Sequence, residues 1–150
     1  MGGANIGTGT ISGTITGNFD LALTVGNVAG TILALSGNNT YTGKTTISGS
    51  GFVSIASTNA LGTGQDLVIN SGGLYTSNAS GLQIQKNNVT IATARLGNAT
   101  SSGKLTFTGA ATVSGTVTTD SVVEFTGAVT AANGFIHGGG TELVMSGGGT

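Results

Sequence analysis

One short pattern constrains what this chain can fold into more than any other feature. An apolar–x–apolar pair, then Ser or Thr, then Gly occurs as ILALSG (Ile32–Gly37), KLTFTG (Lys104–Gly109), VVEFTG (Val122–Gly127) and ELVMSG (Glu142–Gly147). Leu105 and Phe107 precede Val123 and Phe125 by 18 residues, and Phe125 precedes Met145 by 20. Leu67 and Ile69 precede Val89 and Ile91 by 22, and Leu105 follows Val89 by 16. Read as one ladder, the step averages about 19 residues, the signature of a repeat architecture. One such unit cannot bury its apolar face alone, but stacked units make a continuous core. A longer recurrence overlies it. GTILALSG (Gly30–Gly37) returns as GTELVMSG (Gly140–Gly147) 110 residues on, and ISGTIT (Ile11–Thr16) as VSGTVT (Val113–Thr118) 102 residues on.

Within the apolar segments the alternation has period 2. Leu21, Leu23 and Val25 fall on one side of their strand, as do Val89 with Ile91 and Leu105 with Phe107. Helical spacing is weak. Asn78–Lys86 and Thr90–Leu96 are the best helix candidates, and neither is expected to exceed two turns. Proline is absent, although about 5% is the ordinary usage. A strand paired on both sides excludes proline, and in a solenoid nearly every strand is paired above and below. The expected fold is all-β: one domain over 1–150, a single-stranded parallel β-helix (β-solenoid) of about seven coils. Coils stacked at ~4.8 Å make a rod roughly 35 Å long.

Composition supports that reading and narrows the chemistry. Gly, Thr, Ser and Asn supply 81 of the 150 residues. A disordered chain needs low hydrophobicity and high net charge, whereas this one has a mean hydropathy of +0.30 and a net charge of −1. Without cysteine there is no disulfide or thiolate chemistry. Four Lys and Arg residues in all argue against nucleic acid. No P-loop pattern occurs, and no run approaches the ~18 apolar residues of a membrane span. Residues 1–25 lack the basic start and apolar core of a secretory leader.

Candidate chemistry is thin. Asp120 with Glu124, or Glu124 with Glu142 one coil on, are the pairs of acids that a glycosidase would need. Without sugar-stacking aromatics beside them they read better as solvated charges. His137 has no second His or Cys with which to hold a metal. Gly62–Val68 (GTGQDLV) has the outline of one calcium-binding nonapeptide, a site that needs successive copies. The sequons at Asn38, Asn78, Asn88 and Asn98 are what an Asn- and Thr-rich chain produces by chance. Catalytic, cofactor-binding and metal residues are therefore expected to be none.

The segment from Gly30 to Thr46 is the most specific. Ile32–Leu35 is a strand, Ser36–Thr40 a turn cluster, and Thr45–Ser48 the next strand, with Tyr41 between them. The tyrosine reads as a ring packed over a corner with its hydroxyl tied to backbone. Leu35–Gly49 (LSGNNTYTGKTTISG) resembles the autotransporter-associated β-strand repeat, also called the passenger-associated transport repeat. The matching residues are Ser36, Gly37, Asn39, Thr40, Tyr41, Thr42, Gly43, Thr45 and Thr46. Lys44 stands where the family usually has Gly. Ile11–Gly13 and Ala60–Gly62 resemble the family's flanks, and the specific match covers about a third of the chain.

The resemblance implies a repeat at about 30–64, with a second starting at about 138–150. It also implies a right-handed coil and a passenger segment at the surface of, or outside, a Gram-negative bacterium. The leader and barrel of such a parent would lie outside this segment. The expected role is a non-enzymatic stalk supporting passenger folding and export. An adhesin or self-assembling fibre segment is the alternative, and a fragment of a polysaccharide-processing β-helix enzyme is a third. Expected partners are other copies end to end, and a host-surface or matrix ligand of unknown identity.

Overall fold

The computed structural model describes residues 7–26, 30–97, 103–131 and 136–148. Its strands form three parallel sheets. The first contains β1 (Thr8–Ile11), β3 (Ile32–Leu35), β5 (Phe52–Ile55), β7 (Gly73–Thr76), β10 (Ala94–Gly97), β13 (Thr116–Thr119) and β16 (Ile136–Gly140). The second contains β2 (Leu21–Val25), β4 (Thr45–Gly49), β6 (Asp66–Ile69), β9 (Asn88–Ile91), β12 (Ala110–Val113) and β15 (Val129–Ala131). The third contains β8 (Leu82–Ile84), β11 (Leu105–Phe107), β14 (Val123–Phe125) and β17 (Leu143–Met145). Each strand pairs with its counterparts in neighbouring coils, the strands at the ends of a sheet on one side only among the described residues. The chain is thus a parallel β-solenoid whose first sheet marks six turns and the opening of a seventh coil. This is consistent with the expected right-handed parallel β-helix.

Stacking follows the inward residues. Leu105 lies on Val123 and Phe107 on Phe125, and Phe125 is followed by Met145. Leu67 and Ile69 lie under Val89 and Ile91. The Phe107 and Phe125 rings stack with centroids 4.9 Å apart and planes 13° from parallel. Such a pair contributes about 0.5–1.5 kcal/mol beyond the burial of its area. One core cluster runs from Leu23 to Val129.

Two features of the expected ladder change. Val89 and Leu105 do not stack, because Val89 is in the second sheet and Leu105 in the third. ILALSG forms β3 in the first sheet, whereas the other three copies of its pattern supply β11, β14 and β17 of the third. The 110-residue recurrence is therefore one of sequence and not of position in the coil. The helix candidates are also overturned. Asn78–Lys86 contains β8, Thr90–Leu96 spans β9 and β10, and no helix occurs among the described residues. Alternation at Leu82 and Ile84, and at Val89 and Ile91, carries these segments into strands.

The glycine that closes each copy of the pattern is required by the approach of neighbouring coils. At Gly109 a Cβ would lie 1.6 Å from the Lys86 carbonyl oxygen. Its φ is not positive, so the requirement is space and not backbone conformation.

Candidate functional site

The third side of the solenoid changes character along the chain. From β8 onward it is a sheet. In the coils before that it carries no strand among the described residues, and Ser36–Lys44 of the segment that resembles the passenger repeat lie there, between β3 and β4. Leu35, Gly37, Asn39 and Tyr41 point inward and are buried, while Ser36, Asn38, Thr40 and Thr42 point outward. The outward residues are held to the coil below through backbone. Ser36 N donates to Ile11 O at 3.1 Å, Thr40 N to Ile15 O at 2.9 Å, and Thr42 N to Gly17 O at 3.0 Å.

The inward residues form a buried polar spine. Asn39 is 1% exposed. Its Oδ1 accepts from Ile15 N at 2.8 Å, and its Nδ2 donates to Ala60 O at 2.6 Å. One amide therefore joins the coil below to the coil above. Two residues on, the Tyr41 ring is fully buried and stacks on Phe19 at 5.9 Å. Gly62 approaches its other side, where a Cβ would lie 2.7 Å from the ring, and its φ of +69° suits glycine as well. Thr45 Oγ1 donates to Leu61 O at 3.0 Å. Since that uses its only hydrogen, the Tyr41 hydroxyl at 2.7 Å must be the donor to Thr45. The expected tie from Tyr41 to backbone is therefore made through Thr45. Burial raises the Tyr41 phenol above its ordinary pKa, and the Thr45 hydrogen bond opposes the shift.

Leu61 O also receives a second donor. Lys86, 3% exposed, places Nζ 2.7 Å from Leu61 O, 2.9 Å from Gly62 O and 2.5 Å from Gly64 O. Burial pulls its ammonium down to about 8, while the Asp66 charge opposes the shift. Gly62 and Gly64 belong to the Gly62–Val68 segment whose outline suggested a calcium nonapeptide, and in this fold their carbonyls, with that of Leu61 just before it, face a lysine. The period-2 run Leu82, Ile84, Lys86 carries the signal that this lysine points inward.

Among the other motif residues, Gly37 and Gly43 lie over coil backbone, where a Cβ would meet Gly13 O at 2.3 Å and Phe19 O at 2.1 Å. Thr42 Oγ1 donates to Asn18 Oδ1 at 2.9 Å. Thr46 pairs in β4 with Ala22 and Val68. Lys44, which departs from the family pattern, is exposed. Its amide donates to Asp20 Oδ1 at 2.8 Å, and its ammonium lies 3.7 Å from Asp20 Oδ2.

The candidate acids separate. Glu124 lies opposite Val144 and not Glu142, because the register at this rung is 20 residues. The expected stack of Glu124 on Glu142 is thereby overturned. Lys104 Nζ reaches Glu124 Oε2 at 2.5 Å and Ser146 Oγ donates to Glu124 Oε1 at 2.9 Å, and both hold the carboxyl below its usual range. Asp120 accepts instead from the Tyr75 hydroxyl and from Arg95, Nε at 3.1 Å and Nη2 at 2.7 Å. Burial and this carboxylate push the Tyr75 phenol up, and the Tyr75 ring stacks on Phe52 at 4.4 Å. Asp120 and Glu124 thus each have a partner in a neighbouring coil.

His137 Nε2 lies 3.0 Å from Thr119 Oγ1, which donates to Thr141 O at 2.7 Å. Nε2 therefore carries the proton of that contact. No three His, Cys, Asp or Glu residues converge among the described residues. Asn38, Asn78 and Asn88 are described, with Asn88 Nδ2 bonded to Asp66 Oδ1 at 2.7 Å, while Asn98 lies outside the described residues. A shallow hollow of about 290 Å³ on the outside of the third sheet is lined by Ser80–Gln83, Lys104 and Thr106. No helix of the described residues is long and apolar enough to cross a membrane.

No family model, curated protein or solved structure matches the chain. The resemblance of Leu35–Gly49 to the passenger repeat rests on its own residues.

Proposed function

We propose that this chain is a structural β-helical stalk segment of a secreted, autotransporter-like surface protein, and that its coil-by-coil folding supports passenger export. One observation carries the reading. The inward side chains of the motif, Asn39, Tyr41 and Thr45, direct their polar atoms to neighbouring coils or to one another. A segment built this way gains stability each time another coil emerges and docks. A chain crossing an outer membrane can use that gain to prevent backsliding. The role is mechanical, non-enzymatic and extracellular or cell-surface.

The test is display. The chain is placed between a secretory leader and a translocating barrel in a Gram-negative host, and surface exposure is read with an external antibody and protease. Efficient display of a protease-resistant segment is expected. Retention of the segment in the periplasm would contradict the reading.

A self-assembling fibre is a second reading, favoured by a specific observation. The large apolar residues that stand out as exposed among the described residues are Ile11, Phe19 and Met145, at 38%, 43% and 51%. Ile11 and Phe19 belong to the first described coil and Met145 to the last strand. Each continues a core column: Ile11 under Leu35, Phe19 on Tyr41, and Met145 on Phe125.

A further inference from the structure

We infer that the hollow on the outside of the third sheet, lined by Ser80, Gln83, Lys104 and Thr106, is a binding site for one neutral pyranose residue of a glycan. Thr106 is the observation that points to a ligand. Its neighbours Leu105 and Phe107 stack in the core, so its own side chain is directed outward, toward the hollow that it lines. It is nevertheless only 6% exposed, and its hydroxyl has no hydrogen-bond partner among the described residues. A hydroxyl shielded to this degree is costly to leave unpaired. Whatever occupies the hollow must supply its partner.

The register builds the rest of the lining. Gln83 and Glu124 lie opposite Thr106 on the strands to either side, each one strand spacing of ~4.8 Å away. Ser80 is held by the turn that leads into β8, where its amide donates to Asn78 Oδ1 and the Gly81 amide to Asn78 O, both at 3.0 Å. The Gln83 amide and the Ser80 hydroxyl also have no partner among the described residues. Lys104 is paired with Glu124, so the hollow carries no net charge. That balance disfavours an inorganic anion or a metal ion, and the unpaired polar groups disfavour an apolar ligand. A pyranose presents hydroxyls that each donate and accept, the complement of one amide and two hydroxyls. Its C–H face has Leu82, the apolar member of the lining, to rest on. The volume of about 290 Å³ lies just under the ~300–1,000 Å³ of small-molecule pockets and leaves room for one ring. No aromatic ring lines the hollow, so the expected Kd is on the order of 1–10 mM. A site this weak acts where many copies face one glycan surface, a role beyond that of a mechanical stalk.

The test is saturation-transfer NMR from the full chain to the methyl glycosides of glucose, galactose, mannose and N-acetylglucosamine, a readout that holds whether or not the chain associates. Saturable transfer to at least one of them is expected in the millimolar range. Thr106→Val keeps the shape of the side chain and removes the hydroxyl, and Gln83→Ala removes the exposed amide. Each is expected to weaken binding at least about fivefold, the loss that goes with one hydrogen bond. Thr112→Val, on the exposed face of the second sheet, is expected to bind as the unmodified chain does. Thermal melts establish that the variants are folded, and should Thr106→Val not fold, Gln83→Ala carries the test. Absence of transfer to every glycoside at about 50 mM would overturn the inference. So would unchanged affinity in the folded variants of Thr106 and Gln83, or displacement of the glycoside by sodium sulfate but not by sodium chloride of equal ionic strength, which would mark an anion site. Binding in solution is read without display, so this site and the export role can each fail without the other.

Discussion

The Tyr41 hydroxyl donates to Thr45 Oγ1 at 2.7 Å, and both residues are fully buried. Removing the ring and removing the hydroxyl are therefore separable changes. Tyr41→Ala is expected to cost about 3–5 kcal/mol, the range for a large buried aromatic. Tyr41→Phe leaves Thr45 still bonded to Leu61 O and is expected to cost about 1 kcal/mol. Urea unfolding of the two variants checks the ratio. Equal losses would mean that the ring contributes nothing beyond its hydroxyl.

Asn39 satisfies a buried N–H on one side and a C=O on the other. Asn39→Ala leaves both without their partner, at roughly 2–4 kcal/mol in total. Asn39→Asp keeps the acceptor for Ile15 N but sets a carboxylate against Ala60 O, and is expected to be at least as damaging at pH 7. Partial recovery of Asn39→Asp on acidification, as the carboxyl regains a proton to donate, is the accompanying check by thermal melts.

Lys86 makes stability depend on pH in a defined window. Its folded pKa of about 8 lies below its ordinary 10.5, so the unfolded chain binds more protons between those values. Stability therefore rises with pH across that window, by something on the order of 3 kcal/mol if no other group intervened. Tyr41 and Tyr75 act in the opposite sense. Their folded pKa values are raised above 10, so their contribution is complete below pH 10 and is lost as the pH climbs through the folded values. Stability is expected to climb from pH 8 and to turn over near pH 10. Lys86→Met is expected to flatten the climb and leave the fall. A decline from pH 8 to 10 in the unmodified protein would contradict the assignment.

Much of this fold was legible because inward positions repeat. Leu105–Phe107, Val123–Phe125 and Met145 were placed by spacing alone, since residues stacked in one column must be alike in size and polarity. The division into three sheets was not legible. All three sides use the same apolar–x–apolar pattern, so the step from Val89 to Leu105 looked like one coil when it passes from one side to the next. Asn39 and Lys86 could be reached by continuing the alternation from Leu35 and from Leu82 into polar residues. The natural expectation that Asn and Lys face solvent hides them. The Tyr75–Asp120 contact spans 45 residues and leaves no local trace in the sequence.

The ends bear on assembly. Val144 lies opposite Glu124 on β17, the last strand of the third sheet among the described residues, so Val144→Lys would add a charge to that strand and place it beside a carboxylate. Sedimentation velocity over a wide concentration range is expected to show the chain associating as concentration rises. Val144→Lys is expected to weaken that association, because a charged edge opposes strand pairing. A chain that stays monomeric throughout would contradict the fibre reading.

The central claim is that the motif serves folding, and through folding serves export. It is tested most directly by measuring surface display and unfolding free energy together for Tyr41→Phe, Asn39→Ala and Tyr41→Ala. Display is expected to fall in the order of lost stability, with Tyr41→Phe close to the unmodified chain and Tyr41→Ala lowest. Display that stays constant while stability falls by several kcal/mol would contradict the account.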